Sequence, residues 1–177
     1  MKVVDLSQTL ENGMTVWPGD PEVKIEQVHT LDKEGWRLRN INLGSHTGTH
    51  ADAFAHMDEN GVTIDNIPLE NYFGIARIVE VGGAYPKGVG LVFRDGKMDT
   101  ELFQKIKAAN PSFVVVGDKA EFEVELERQL LKARIVTITD LINLHKLPSD
   151  EPFQFFGVPL KIKDGDGSPI RAFAIVD

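Results

Sequence analysis

Between Gly90 and Ile138 the chain alternates short apolar runs with two windows of helical periodicity, and this alternation narrows the choice of fold most. Gly90–Phe93 and Ser112–Val116 (SFVVV) read as strands, the second a buried one. Thr100–Ala109 carries apolar residues at helical spacing, with Thr100 as its N-cap. Glu123–Ala133 reads as a second helix and Ile135–Ile138 as a strand. Before this block, Met1–Leu6, Val23–Val28 and Ile75–Val81 read as strands. Trp36–Leu43 (WRLRNINL) alternates apolar and polar residues, as a half-buried strand does. After the block, Phe153–Ile162 and Ile170–Val176 read as two closing strands around an Asp164-Gly165-Asp166-Gly167 hairpin turn. Strands, then helix–strand–helix–strand, then strands again make an α/β chain with a mixed β-sheet core and flanking helices. At 177 residues, one domain spanning 1–177 is expected.

Composition narrows the chemistry. The chain has 19 Lys and Arg against 27 Asp and Glu, a net charge of −8, so its surface repels phosphate backbones and no nucleic-acid partner is expected. No run approaches the roughly 18–20 apolar residues of a membrane span, and the first residues lack a signal-peptide core. A membrane role is therefore not expected. The absence of cysteine excludes disulfides, a thiolate nucleophile and cysteine-ligated zinc, and it fits a cytoplasmic protein. Any bound metal must use His, Asp and Glu, and there are only five His.

Three of those five fall within eleven residues, in the segment GSHTGTHADAFAH from Gly44 to His56. His46, His50, Asp52 and His56 are spaced four, two and four residues apart. On a strand these even offsets would put all four side chains on one face. A straight strand would nevertheless separate His46 from His50 by about 13 Å, too far to share one ion. The chain must bend between them, and Gly48, which can take positive φ, is where it can do so. Two imidazoles and a carboxylate favour Zn2+, with Mn2+ as the alternative. Three protein ligands with an open position form the catalytic type of site, where a bound water is activated near neutral pH. His56, outside the three-ligand set, is free to move protons.

The segment also resembles the metal-dependent cyclase-like hydrolase family, which includes bacterial kynurenine formamidases (arylformamidases) and isatin hydrolases. The family hallmark is H-x-G-T-H-x-D-x-P-x-H. Here His46, Gly48, Thr49, His50, Asp52 and His56 match it, and Phe54 stands in the usual place of Pro. Further matches are Val4-Asp5-Leu6-Ser7-Gln8, Val16-Trp17-Pro18-Gly19-Asp20-Pro21, Thr63-Ile64-Asp65, Ile67-Pro68-Leu69, Gly157-Val158-Pro159-Leu160-Lys161 and Gly167-Ser168-Pro169-Ile170-Arg171-Ala172. The resemblance implies a swivelling β/β/α domain that forms a homodimer or higher homo-oligomer. It implies His46, His50 and Asp52 as metal ligands, His56 as the catalytic acid/base and Trp17 as a substrate-binding residue.

The second half departs from the pattern. Glu127 stands where the family has a His ligand, and Thr139 where it has Glu. Asp140 is one residue away, which on a regular strand would point to the opposite face. One metal is therefore expected rather than two. The implied function is metal-dependent hydrolysis of a C–N amide bond, in a formamide or cyclic amide of a small substrate, by metal-activated water. The alternative is a non-catalytic metal- or ligand-binding relative that has lost the second-metal ligands. Arg37, Arg39 and Arg171 are possible counter-charges for an anionic substrate. His29 and His145 read as ordinary polar residues, and the acidic run Glu121, Glu123, Glu125 and Glu127 as a solvated helix face.

Overall fold

A computed structural model describes residues 1–176. In chain order the strands are β1 (Lys2–Asp5), β2 (Lys24–His29), β3 (Leu38–Asn42), β4 (His50–Asp52), β5 (Phe73–Val79), β6 (Gly90–Met98), β7 (Phe113–Phe122), β8 (Val136–Leu141), β9 (Phe153–Phe156), β10 (Gly167–Pro169) and β11 (Phe173–Val176). The α-helices are α1 (Leu31–Glu34), α2 (Phe103–Ala109) and α3 (Val124–Lys132). Nine strands form one mixed sheet in the order β1-β11-β9-β5-β6-β7-β8-β4-β10. Strands β5 to β8 run parallel, and the other neighbours pair antiparallel.

The centre of the sheet is where the apolar runs lie. Phe113–Gly117 of β7 is buried throughout, because a central parallel strand is covered on both faces. Successive residues feed two separate cores. Val92, Phe113 and Val115 join one core with Leu6, Phe54, Tyr72 and Phe155. Leu91, Phe93, Val114 and Val116 join the other, closed by Ile106 and Ala109 of α2 and by Leu126 and Leu130 of α3. The connections β6–α2–β7 and β7–α3–β8 thus place β8 beside β4, and β4 carries the histidine segment.

Four local expectations need correction. The helix expected from Thr100 is divided: Thr100–Leu102 is a 3₁₀ turn and α2 begins at Phe103. Its cap is Asp99, whose side chain accepts from the Glu101 N–H at 3.1 Å. The Trp36–Leu43 alternation does give strand β3, but β3 is exposed along its whole length, since it pairs only with β2 in a separate two-stranded sheet. The Asp164–Gly167 segment is not a hairpin turn: β9 ends at Phe156 and pairs with β5 and β11, whereas β10 pairs with β4. The β10 strand is only three residues long, too short to show a period in the sequence.

Candidate metal centre

The histidine segment is folded by one turn and one short strand. Gly48 has φ of +60°, and a side chain there would meet Met14 and Leu10 at 3.1 and 3.2 Å. This bend brings the His46 and His50 rings to 5.2 Å between centroids, nearly perpendicular at 81°. Asp52 ends β4, and the 3₁₀ turn Phe54–His56 then returns the His56 ring to 3.9 Å from the His46 ring. Strand β10 completes the frame by pairing Gly167 with Asp52. A Cβ on Gly167 would lie 2.4 Å from His46 Cε1, so this ring packs where only glycine leaves room.

One nitrogen from His46, one from His50 and one oxygen from Asp52 lie within 4.8 Å of one another. His46 Nδ1 is 2.7 Å and His50 Nε2 is 3.4 Å from the same Asp52 Oδ1. The remaining polar atom of each group is engaged outside the cluster. His50 Nδ1 donates to the Gly48 carbonyl at 2.7 Å. Asp52 Oδ2 accepts from the Thr137 hydroxyl at 2.8 Å. His46 Nε2 lies 3.0 Å from Asp166 Oδ2. Two imidazoles and a buried carboxylate, each held from behind, are a donor set that fits a divalent cation of the zinc or manganese type.

The Cyclase family model matches residues 4–118, well over half of the chain. This chain belongs to the Cyclase family. The Cyclase chain is 27% identical to a kynurenine formamidase of Salinibacter ruber over 208 residues, covering 97% of this chain and 96% of that protein. It is 28% identical over 200 residues to a kynurenine formamidase of Bacillus cereus, covering 96% and 95%. Among solved structures it superposes on isatin hydrolase A from Labrenzia aggregata with a TM-score of 0.82 at 22% identity, covering 99% of this chain and 93% of that one. Isatin hydrolase A from Ralstonia solanacearum gives 0.80 at 24%, covering 99% and 92%. These structural likenesses show the shared α/β fold with its mixed sheet.

The electrostatics of this Cyclase site are those of a tight cluster of opposite charges. Burial works against the charge on His50, but Asp52 outweighs it and raises the imidazole to about 9. His46 is likewise raised: burial opposes its charge, while the bonds to Asp52 and Asp166 favour it. Asp52 is driven well below the usual carboxylate range, because His50 and His46 more than offset the cost of burying its charge. His56 moves the other way, lowered by burial and then by the charge of His46.

Four further residues surround the cluster: Glu127, Thr139, Asp140 and Asp166. Glu127 is not on a solvated face. Its carboxyl meets the Thr137 hydroxyl at 3.3 Å and faces Asp52, and burial followed by the Asp52 charge raises it to about 8. Thr139 lies opposite His50 in the β4–β8 pairing, with its hydroxyl 3.1 Å from His50 Nε2. Asp140 has φ of +60°, so the regular-strand rule that turned it away fails, and its carboxylate comes within 4.0 Å of His50 Nδ1. Asp166 was read as part of a turn. It touches His46 and lies 3.9 Å from His56 Nδ1, and His46, His56 and Asp166 form a second trio within 4.8 Å.

The other sequence candidates lie elsewhere. Trp17 sits in a turn closed by the Asp20 N–H to Trp17 carbonyl bond, with 67% of its surface exposed. His29 accepts from Trp36 Nε1 at 2.9 Å, an ordinary satisfied polar residue. His145 is exposed on a 3₁₀ turn. Arg37 and Arg39 are exposed, and Arg171 is paired with Asp5 at 2.6 and 2.9 Å. Near the cluster, the fully buried Tyr72 hydroxyl has no hydrogen-bond partner among the described residues.

Proposed function

We propose that this chain is a metal-dependent hydrolase that cleaves the C–N amide bond of a small formamide or cyclic amide, in the manner of an arylformamidase. The observation that carries this reading is the convergence of His46, His50 and Asp52 on one point, with the far side of each group already bonded. The kynurenine formamidase relatives, matched over nearly their whole length, support the bond class.

His46, His50 and Asp52 would hold the ion. Zn2+ is favoured by two imidazoles, with Mn2+ as the alternative, and a single ion is expected because Thr139 is a poor ligand. Bound there, the ion supplies Lewis acidity that polarises the amide carbonyl and eases loss of a proton from water. His56 does the proton work. Burial holds its imidazole below the ordinary range, so the ring is neutral near pH 7 and open to a proton. Its Nδ1 faces Asp166, which leaves Nε2 to take a proton from the attacking water and pass it to the leaving nitrogen. The C–N bond breaks as the new C–O bond forms, giving an acid and an amine. Trp17, with a free aromatic face, is the proposed substrate contact.

The reading extends to a homodimer or larger assembly in the cytoplasm, formed by one domain of residues 1–177. An isolated two-stranded ribbon has marginal stability alone, and the exposed β2–β3 pair with Ile41 and Leu38 uncovered supports an assembly that covers it. No helix among the described residues is long and apolar enough to cross a membrane.

The test is a hydrolysis screen with N-formylkynurenine and isatin, run on protein loaded with zinc or manganese. Turnover that disappears with chelator and with His56→Ala is the expected result. Metal uptake with no hydrolysis of either substrate class would instead favour a non-catalytic metal-binding protein, the reading that Glu127 and Thr139 in place of ligands leave standing.

A further inference from the structure

We infer that Asp166 is the positioning residue of His46: its carboxylate accepts the Nε2–H and so commits Nδ1 to the metal. The inference rests on the metal-site reading above and goes beyond it, to a residue some 120 positions away in sequence.

The geometry supplies the case. His46 has two ring nitrogens, and only Nδ1 faces Asp52 and the cluster, at 2.7 Å. A neutral imidazole binds an ion through one nitrogen and keeps its proton on the other, so something must decide which is which. For His50 the decision is made by a backbone acceptor, the Gly48 carbonyl on Nδ1. Among the described residues, no backbone acceptor does this for His46. The group opposite its Nε2 is Asp166 Oδ2, at 3.0 Å. A carboxylate behind a ligating imidazole fixes the tautomer, aims the ring and raises the basicity of the ligand nitrogen.

The placement of Asp166 is built into the fold. Its own carbonyl accepts the Ala53 N–H at 2.8 Å, and the next residue, Gly167, pairs with Asp52. The β4–β10 ladder therefore carries the ligand Asp52 and the residue beside Asp166 in one register. Gly167 lacks the Cβ that would strike the His46 ring at 2.4 Å, so the ring can lie across β10 and reach Asp166. Asp166 Oδ2 is farther from His56 Nδ1, 3.9 Å against 3.0 Å for His46, which makes His46 its principal partner.

The measurement is zinc affinity by chelator competition, with the visible spectrum of the Co2+-loaded protein beside it, for wild type, Asp166→Ala and Asp166→Asn. Asp166→Ala is expected to weaken zinc binding about 10–100-fold with the number of ions per chain unchanged. It should also shift the Co2+ bands at full occupancy, which a residue important only for folding would not do. Asp166→Asn, whose amide oxygen can still accept the Nε2–H, should recover most of the affinity. Unchanged affinity in Asp166→Ala overturns the inference. So does loss of one ion from a two-ion protein with the other undisturbed, which would make Asp166 a ligand of a separate ion with His56. Wild-type protein that takes up no metal would instead sink the metal-site reading itself.

Discussion

At the scale of single residues, Glu127, His50 and His46 hold protons more tightly when folded than when unfolded, while Asp52, Asp166 and His56 shift the other way. Glu127 is raised to about 8 and His50 to about 9. A raised group contributes its stabilisation fully below its unfolded pKa and loses it as pH rises through the folded value. For Glu127 that window opens near the ordinary carboxyl value of 4.5 and closes near 8. For His50 it opens near 6.5 and closes near 9. His46 acts in the same direction and His56 against it. Metal-free protein should therefore be more stable at pH 6 than at pH 9 in chelator-containing denaturation experiments. Glu127→Gln, which cannot ionise, should flatten the part of the slope between about pH 5 and pH 8. An unchanged slope in that variant would show that Glu127 is not the group responsible.

The sequence carried part of this. Gly48 was legible because the four-residue gap between His46 and His50 cannot be spanned by a straight strand. Glu127 left a readable signal: on a helix wheel it falls between Leu130 and Leu131, inside the arc that these leucines and Leu126 bury. Asp166 left no such signal, because its relation to His46 exists only through the β4–β10 pairing.

At the scale of elements, the donors and the helical layer meet through Glu127 of α3, which faces Asp52. The donors ride on β4 and the loops beside it, while α3 is anchored by Leu126 and Leu130 in the core on the far side of β6 and β7. Leu130 is fully buried, so Leu130→Ala should cost about 2–5 kcal/mol by leaving a cavity. Its zinc stoichiometry should stay that of wild type. Loss of metal at the same time would show that α3 sets the donor geometry, through Glu127 against Asp52. Helices α2 and α3 were legible from their 3.6-residue period, and β6, β7 and β8 from their apolar runs, whereas the one-turn α1 was not. Strands β2 and β3 were legible too, but their isolation as an exposed ribbon was not, and neither was β10. The ribbon's alternation has no covering layer within the chain, and three residues are too few to display a period.

At the scale of the whole molecule, a 177-residue chain without cysteine gathers its chemistry through one irregular hinge between sheet strands. The α/β class was readable from element order. The strand order was not, because it depends on pairings such as β1 with β11 and β4 with β10, between opposite ends of the chain. The family likeness agrees with this architecture along nearly the full length. The central claim is that His46, His50 and Asp52 together hold one divalent ion. The most direct test is elemental analysis of the purified protein after equilibration with zinc and removal of excess, for wild type and His50→Ala. Wild type should retain about one ion per chain, and His50→Ala, if it remains folded by circular dichroism, should retain almost none. Equal metal content in the two proteins, or none in wild type after zinc and manganese have both been offered, would contradict it.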